Sequence, residues 1–525
     1  MTGASSEPPT TAPGTGSNPP APQAPSPGSV APLLSMEPVP TLLSRTRAEL
    51  SASFDFSRPM RVSRAPGRLD VMGGIADYTG AMVCELTLDR AAAVVLQERA
   101  DRELQIFSFN LYDEHKPFTL RIPLEALASQ PAQALRKEFA EPGRQWAAYV
   151  AGCFFVLHDQ GFINLRDPNV KGMNLALYST VPMGAGVSSS AALEVATMMN
   201  LRDHFDLMKP IAGRSLRIAD RSAMGPLKLA ELCQMAENRI VGAPCGIMDQ
   251  VASCWGEAGR LLRMTCQPHE LHAALDVPPG VRFVGINSGV RHSVGGLAYG
   301  RTRCAAFMAH RMIVEKMRQI GGAAGRRLVA DPLRGYLANL DPDDYKRIFR
   351  PSLPEQITGR EFLDNFGQTI DACTTVDPDV SYAVRNAADH HVLEARRVKN
   401  FAGYLEEAAA AQDPRQRGGA LDRAGHLMYA SHQSYTMDAL LGAEECDLLV
   451  QLARKREPAG IYGAKITGGG CGGTVAILCD VSPKVDRAIA EIMEEYEKQT
   501  GRKPGLFEGS SPGAWHVGTT LVPGS

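Results

Sequence analysis

Residues 181–192, Val-Pro-Met-Gly-Ala-Gly-Val-Ser-Ser-Ser-Ala-Ala, set two glycines and three serines between an extended pattern at 173–178 and a helical one at 191–199. Gly184 and Gly186 let the backbone turn and approach a ligand in ways that a Cβ forbids. Ser188, Ser189 and Ser190 then open a helix, whose free N–H groups and positive dipole end favour an anion. With Ala185 and Val187 between them, these residues make a loop suited to phosphate. No Gly-Lys-Ser/Thr follows, so the loop is not of the Walker type. The same residues also fit a plain turn closed by a serine N-cap.

Two further stretches carry chemistry. Residues 65–80, Ala-Pro-Gly-Arg-Leu-Asp-Val-Met-Gly-Gly-Ile-Ala-Asp-Tyr-Thr-Gly, place Arg68, Asp70 and Asp77 in what reads as a glycine-broken loop after a strand. Loops on a rigid scaffold concentrate binding residues, although aspartates there also cap turns and a surface arginine pair contributes little. Residues 464–474 contain five glycines in six positions, Gly468, Gly469, Gly470, Gly472 and Gly473. A hairpin turn needs fewer, so the run predicts close backbone approach to a ligand or to another loop.

The elements that must position these stretches follow from periodicity and composition. Strand patterns fall at 60–65, 82–88, 91–97, 103–109, 281–286 and 474–480; helical patterns fall at 42–50, 146–158, 189–204, 226–241, 298–320, 388–411, 419–439 and 483–500. This mixture predicts an α+β fold with two lobes. Residues 1–38, rich in Pro, Ser, Gly and Thr, lack the apolar groups to offset chain entropy and read as a disordered leader or docking tail. One lobe is expected over 39–300 and the second over 301–525. The 525-residue length suits two or three domains, and the net charge of −2 argues against a nucleic-acid surface. No run of about 18 apolar residues predicts a membrane span. Eleven scattered cysteines without a Cys-x-x-Cys pair read as reduced cytoplasmic thiols.

Taken together and in this order, the three stretches resemble the GHMP family of small-molecule kinases, in its galactokinase branch. Residues 236–250, Ala-Glu-Asn-Arg-Ile-Val-Gly-Ala-Pro-Cys-Gly-Ile-Met-Asp-Gln, and 287–294, Asn-Ser-Gly-Val-Arg-His-Ser-Val, extend the resemblance. Residues 67–78, 353–357 (Leu-Pro-Glu-Gln-Ile) and 507–514 (Phe-Glu-Gly-Ser-Ser-Pro-Gly-Ala) are similar to the kinase portion of plant L-arabinokinases. The resemblance implies a two-lobed fold with the active site in the interlobe cleft and ATP and Mg²⁺ as cofactors. It gives the phosphates to residues 184–190 and the metal to Ser190 and Glu237. It makes Asp249 the catalytic carboxylate and Arg68 the catalytic arginine, with Asp77, Gly74, Ile75 and Tyr299 at the sugar. Asp249 also fits an N-cap, and Tyr299 a core tyrosine.

One departure bears on substrate. Galactokinases carry Glu-His where this chain has Gly74-Ile75, and in that branch the glutamate binds the exocyclic hydroxymethyl at C6. Losing that partner in a closed site disfavours a hexose. The resemblance therefore implies anomeric phosphorylation of L-arabinose, with D-galactose as the alternative sugar. An ATP- and sugar-binding regulatory sensor is the alternative of another class, disfavoured by the intact Arg68, Asp249 and serines. The partners expected are a small sugar and ATP, with no nucleic acid or membrane, and the oligomeric state is left open. The segment 325–392 reads as an insertion in the second lobe, with Arg326, Arg327, Arg334, Arg347 and Arg350 on a solvated face.

Overall fold

The computed structural model describes residues 31–208, 224–291, 296–323 and 330–524. Two main sheets hold most of the strands, and Ile357–Thr358 pairs with Ser381–Tyr382 in a third, two-stranded one. The larger runs in the order Thr519–Val522, Met60–Met72, Met82–Glu98, Met173–Ser179, Glu103–Ser108, Thr119–Pro123, antiparallel except where Glu103–Ser108 meets Met173–Ser179. Arg260–Thr265 pairs with the first half of Met82–Glu98. The smaller sheet is antiparallel in the order Ile461–Ile466, Thr474–Asp480, Val281–Asn287, Gly505–Phe507.

The sheets do not divide the chain at residue 300. The strand Val281–Asn287 already belongs to the second sheet, and the final strand returns to pair with Met60–Met72. At the other end of the chain, Leu33 and Val39 are buried in one cluster with Met60 and Val95, so packing begins before residue 39. The rest of the expected leader, residues 1–30, lies outside the described residues.

The first half of the expected loop at 65–80 is strand. Met60–Met72 runs unbroken through Pro66 and Gly67, with register shifts between Pro66 and Arg68 and between Asp70 and Met72. Those bulges absorb residues that otherwise end a strand, and they re-aim the side chains of Arg68 and Asp70. The second half, residues 73–80, leaves the strand, with Gly74–Thr79 forming a 3₁₀ turn. The two strand patterns at 82–88 and 91–97 are one long strand, Met82–Glu98.

The helix Ser189–His204 is buried on almost every side and crosses the first two strands. Ser63 Oγ donates to the Ala196 carbonyl at 2.6 Å, and Asn200 Nδ2 donates to the Val94 carbonyl at 2.9 Å. Both bonds lock the helix to the sheet and thereby fix the phosphate-type loop at its start. The second lobe packs the helices Leu297–Ala323, Val384–Ala410, Pro414–Met437, Glu444–Arg454 and Pro483–Thr500 around its sheet.

The insertion is not only a solvated face. Leu333, Leu337, Tyr345, Phe349, Phe362 and Tyr382 join the second-lobe core. Arg334, Arg347 and Arg350 are exposed as expected, and Arg350 also pairs with the buried Asp389 at 2.7 Å; Arg326 and Arg327 lie outside the described residues. Among the described residues, no helix is long and apolar enough to cross a membrane.

Candidate active site

A cleft of about 430 Å³ brings the separated motifs together. Arg68, Asp77, Ile75, Gly184, Gly186, Val187, Ser188, Ser189, Ser190, Glu237, Asp249, Tyr299 and Gly469 all line it. Gly74 and Ala185 lie just behind the wall, and of the glycine stretch only Gly469 reaches the cleft.

At the loop, the plain serine N-cap does not occur. Ser188 caps the helix in the left-handed conformation, with φ of 61°, and its side chain makes no capping hydrogen bond. Its Oγ is buried without a partner among the described residues. A strained serine with an orphaned hydroxyl beside a helix N-terminus is an arrangement that an oxyanion would satisfy.

The glycine stretch meets another loop, one of its two expected uses. Thr474 Oγ1 donates to the Ala185 carbonyl at 2.7 Å. A Cβ on Gly473 would stand 2.8 Å from that same carbonyl oxygen, and one on Gly468 would stand 2.9 Å from the Gly186 oxygen. Backbone-on-backbone packing at this distance admits only glycine. Gly470 and Gly472 pack similarly against Leu441 and Val290.

Arg68 is the hub. Its Nε and Nη2 donate to Asp249 Oδ1 at 3.0 and 2.7 Å, and Nη1 donates to the Gly186 carbonyl at 2.8 Å. One guanidinium therefore joins the carboxylate to the phosphate-type loop. Glu85 Oε2 also stands 3.1 Å from Nε, yet neither Glu85 oxygen has a hydrogen-bond partner. Burial and the neighbouring Asp70 push Glu85 well above the usual carboxylate range, which disfavours its charged form. Burial alone lowers the Arg68 pKa, but the nearby carboxylates, Asp249 foremost, outweigh it and hold the group charged. Asp249, in the first turn of Met248–Trp255, is thus the counter-charge of Arg68 that faces the cleft.

Asp70 plays a different part from Asp77. It is fully buried and accepts from Lys465 Nζ at 2.8 Å, the Gly468 N–H at 3.0 Å and the Gly74 N–H at 3.1 Å. It therefore fastens the glycine stretch to the first motif. Asp77 sits at the other end of the cleft beside Tyr299, which meets Tyr78 edge to face. His391, held neutral by burial at about 3, contacts Tyr78 Oη at 3.1 Å and Thr79 Oγ1 at 3.2 Å. Arg303 lies over the Tyr78 ring and is held by a bidentate pair with Asp371 of the insertion, at 2.9 and 2.8 Å. The insertion thus braces the Asp77 end of the cleft.

Burial and the nearby Asp249 push both Asp77 and Glu237 up to about 7. A raised folded-state pKa contributes stability that is present below the unfolded value and lost as pH rises through the folded one. Asp77→Asn, neutral at every pH, is therefore expected to gain on wild type from about pH 4 upward, with the full gain above about 7. Thermal melts at acid, intermediate and alkaline pH check this; a constant difference between the two proteins would contradict it.

Ser190 and Glu237 suit a hard cation. Hydrogen bonds from Ser190 and Gln250 reach the Glu237 carboxyl, the latter at 2.7 Å. Among the described residues no cluster of three or more His, Cys, Asp or Glu offers a protein-only metal cage. One carboxylate and one hydroxyl fit a magnesium ion that takes its remaining ligands from phosphate and water. A second, more apolar cavity of about 210 Å³ opens on the far side of the loop. Leu111, Trp146, Leu177, Tyr178 and Met183 line it, and it shares Gly184, Ser189 and Ser190 with the cleft. Neither it nor Lys465, Arg303, Asp371 and Glu85 stood out in the sequence, because no local spacing marks them.

The "GHMP kinases N terminal domain" description matches residues 148–257, and "GHMP kinases C terminal" matches 405–498. The chain is 36% identical over 523 residues to an L-arabinokinase of Arabidopsis thaliana, covering 90% of this chain but only 48% of that protein. It is 30% identical over 448 residues to a galactokinase of Chloroflexus aggregans, covering 85% of this chain and 90% of the relative. A crystal structure of Lactococcus lactis galactokinase complexed with galactose shares the fold, with a TM-score of 0.66 and 21% identity over 91% of this chain and 99% of that one. With a relative matched at this identity over nearly its whole length, and both domain descriptions placed on the loop and the second lobe, the chain belongs to the GHMP kinase family, on its galactokinase-like branch.

Proposed function

We propose that the protein is an ATP-dependent sugar 1-kinase that converts L-arabinose to L-arabinose 1-phosphate. The observation that carries the reading is Arg68, which joins Asp249 to the phosphate-type loop within the cleft that also holds Asp77.

In this reading the apolar cavity seats the nucleoside base, and residues 184–190 hold the phosphates. Asp77 and Tyr299 hold the sugar hydroxyls. Asp249 orients the anomeric hydroxyl and accepts its proton as the oxygen attacks the γ-phosphorus. The new O–P bond forms as the bond to the β-phosphate oxygen breaks, and ADP leaves. Arg68 stabilises the ionised Asp249 and the charge that develops on the phosphoryl oxygens. Ser190 and Glu237 would hold Mg²⁺, which when bound neutralises phosphate charge.

The sugar identity rests on Gly74-Ile75 and on the identity to the L-arabinokinase. D-Galactose is the second reading, favoured by the galactokinase relatives matched over about nine-tenths of their length. ADP release by the purified protein with L-arabinose, D-galactose and D-glucuronate, and ³¹P NMR of the product, test both. The expected result is the highest kcat/KM with L-arabinose and an anomeric phosphate. Preference for galactose would reassign the sugar and keep the kinase, whereas ATP binding without turnover of any sugar would favour a sensor.

A further inference from the structure

Gly74 and Tyr435 occupy one volume. Gly74 has φ of +49°, and a Cβ built on it would lie 1.8 Å from Tyr435 Oη and 2.9 Å from Asp70 Oδ2. No side chain enters there while the tyrosine stays. Tyr435, near the end of the helix Pro414–Met437, is fully buried, with its ring edge-on to His390 at 5.0 Å. Its hydroxyl donates to the Gly468 carbonyl at 2.7 Å and accepts the Ile75 N–H at 3.0 Å. Its single proton is therefore committed, and it offers no donor to a ligand. Ile75, held in this way, lines the cleft beside Asp77 with an aliphatic side chain.

We propose that Tyr435 is a specificity-determining residue that acts through Gly74 and Ile75. Its hydroxyl fills the volume that a side chain at position 74 would need. It also pins Ile75 as an apolar wall, so that this end of the cleft takes a pyranose without an exocyclic hydroxymethyl group. The inference rests on the sugar-kinase reading and names the device that selects the sugar. It predicts that residues 74 and 435 cannot be exchanged one at a time. Sites in direct contact couple non-additively, and a polar partner for a substrate hydroxyl discriminates far more strongly than an apolar wall does.

The test is a double-mutant cycle in the full-length protein: Gly74→Glu, Tyr435→Leu and both together. Melting temperature and kcat/KM for L-arabinose and D-galactose are measured for each. Gly74→Glu alone is expected to melt well below wild type and to lose activity on both sugars. The double variant is expected to recover much of that melting temperature. Its galactose-to-arabinose ratio of kcat/KM should rise at least about ten-fold above both wild type and Tyr435→Leu. A purely structural tyrosine would change the melting temperature and leave this ratio alone. The proposal is overturned if Gly74→Glu alone is as stable as wild type, if the double variant melts no higher than Gly74→Glu, or if its ratio equals that of Tyr435→Leu. Wild-type protein that turns over neither sugar would overturn the kinase reading itself, whereas an active wild type with a failed cycle removes only the role of Tyr435.

Discussion

Asp249→Asn is expected to fold, to bind nucleotide with near-wild-type affinity and to lose on the order of 10²- to 10⁴-fold in kcat, the range associated with general-base groups. The carboxylate holds no buried framework together. Its side chain is about one-fifth exposed, and among the described residues its hydrogen bonds come from Arg68 alone, to the single oxygen Oδ1. An asparagine oriented with its oxygen toward Arg68 keeps both bonds. What it loses is a negative charge and the capacity to take a proton. Stability should therefore change little, while the chemical step loses its proton acceptor. The same substitution removes the charge that helps to push Asp77 and Glu237 up to about 7, so both carboxyls should ionise at lower pH in the variant. Steady-state kinetics with a nucleotide-binding titration separate the outcomes. Undiminished phosphoryl transfer would remove Asp249 from the reaction, and lost nucleotide binding would make it part of the phosphate site.

The legible parts of this molecule are those where chemistry forces a residue type at a local spacing. Gly468 and Gly473 had to be glycines because the carbonyls of Gly186 and Ala185 lie where a Cβ would be. Ser188–Ser190 opened a helix where one was expected. The helices at 189–204 and 483–500 were legible for the same reason, since their patterns are local. The first half of the loop expected at 65–80 was strand, because the bulges around Pro66 and Val71 accommodate residues that sequence reasoning treats as breakers. The contacts that complete the site were not legible at all. Tyr435 meets Ile75 across 360 positions, Lys465 meets Asp70 across 395, and Arg303 meets Asp371 across 68. Long-range packing decides such pairs, and nothing in the local pattern of either partner announces the other. Even the raised pKa of Glu85 depends on burial between strands, which the sequence conveys only as one carboxylate in an apolar run.

Arg68→Met is expected to combine both kinds of loss. It removes the charge facing the phosphoryl group, worth on the order of 10²- to 10³-fold in kcat for a preorganised electrostatic group. It also removes the bonds that hold Asp249 and the Gly186 carbonyl in place. Breaking a buried ion pair by deleting one partner typically costs about 3–5 kcal/mol. Here the cost should fall at or below the lower end, for two reasons. Asp249 reaches solvent and can be rehydrated, and the raised pKa of Glu85 lets it take a proton at little cost once Arg68 is gone. Arg68→Lys keeps the charge but lacks the planar fork that reaches Asp249 and the Gly186 carbonyl together. It should therefore recover more stability than activity. Glu85→Gln supplies the decisive comparison. If Asp249 is the counter-charge, an amide in place of the neutral acid leaves kcat within a few-fold of wild type, as replacements that keep shape and neutrality tend to do. If Glu85→Gln costs as much as Arg68→Met, Glu85 is ionised in the working enzyme, and the charge of Arg68 is shared between two carboxylates instead of being directed at the one that faces the cleft.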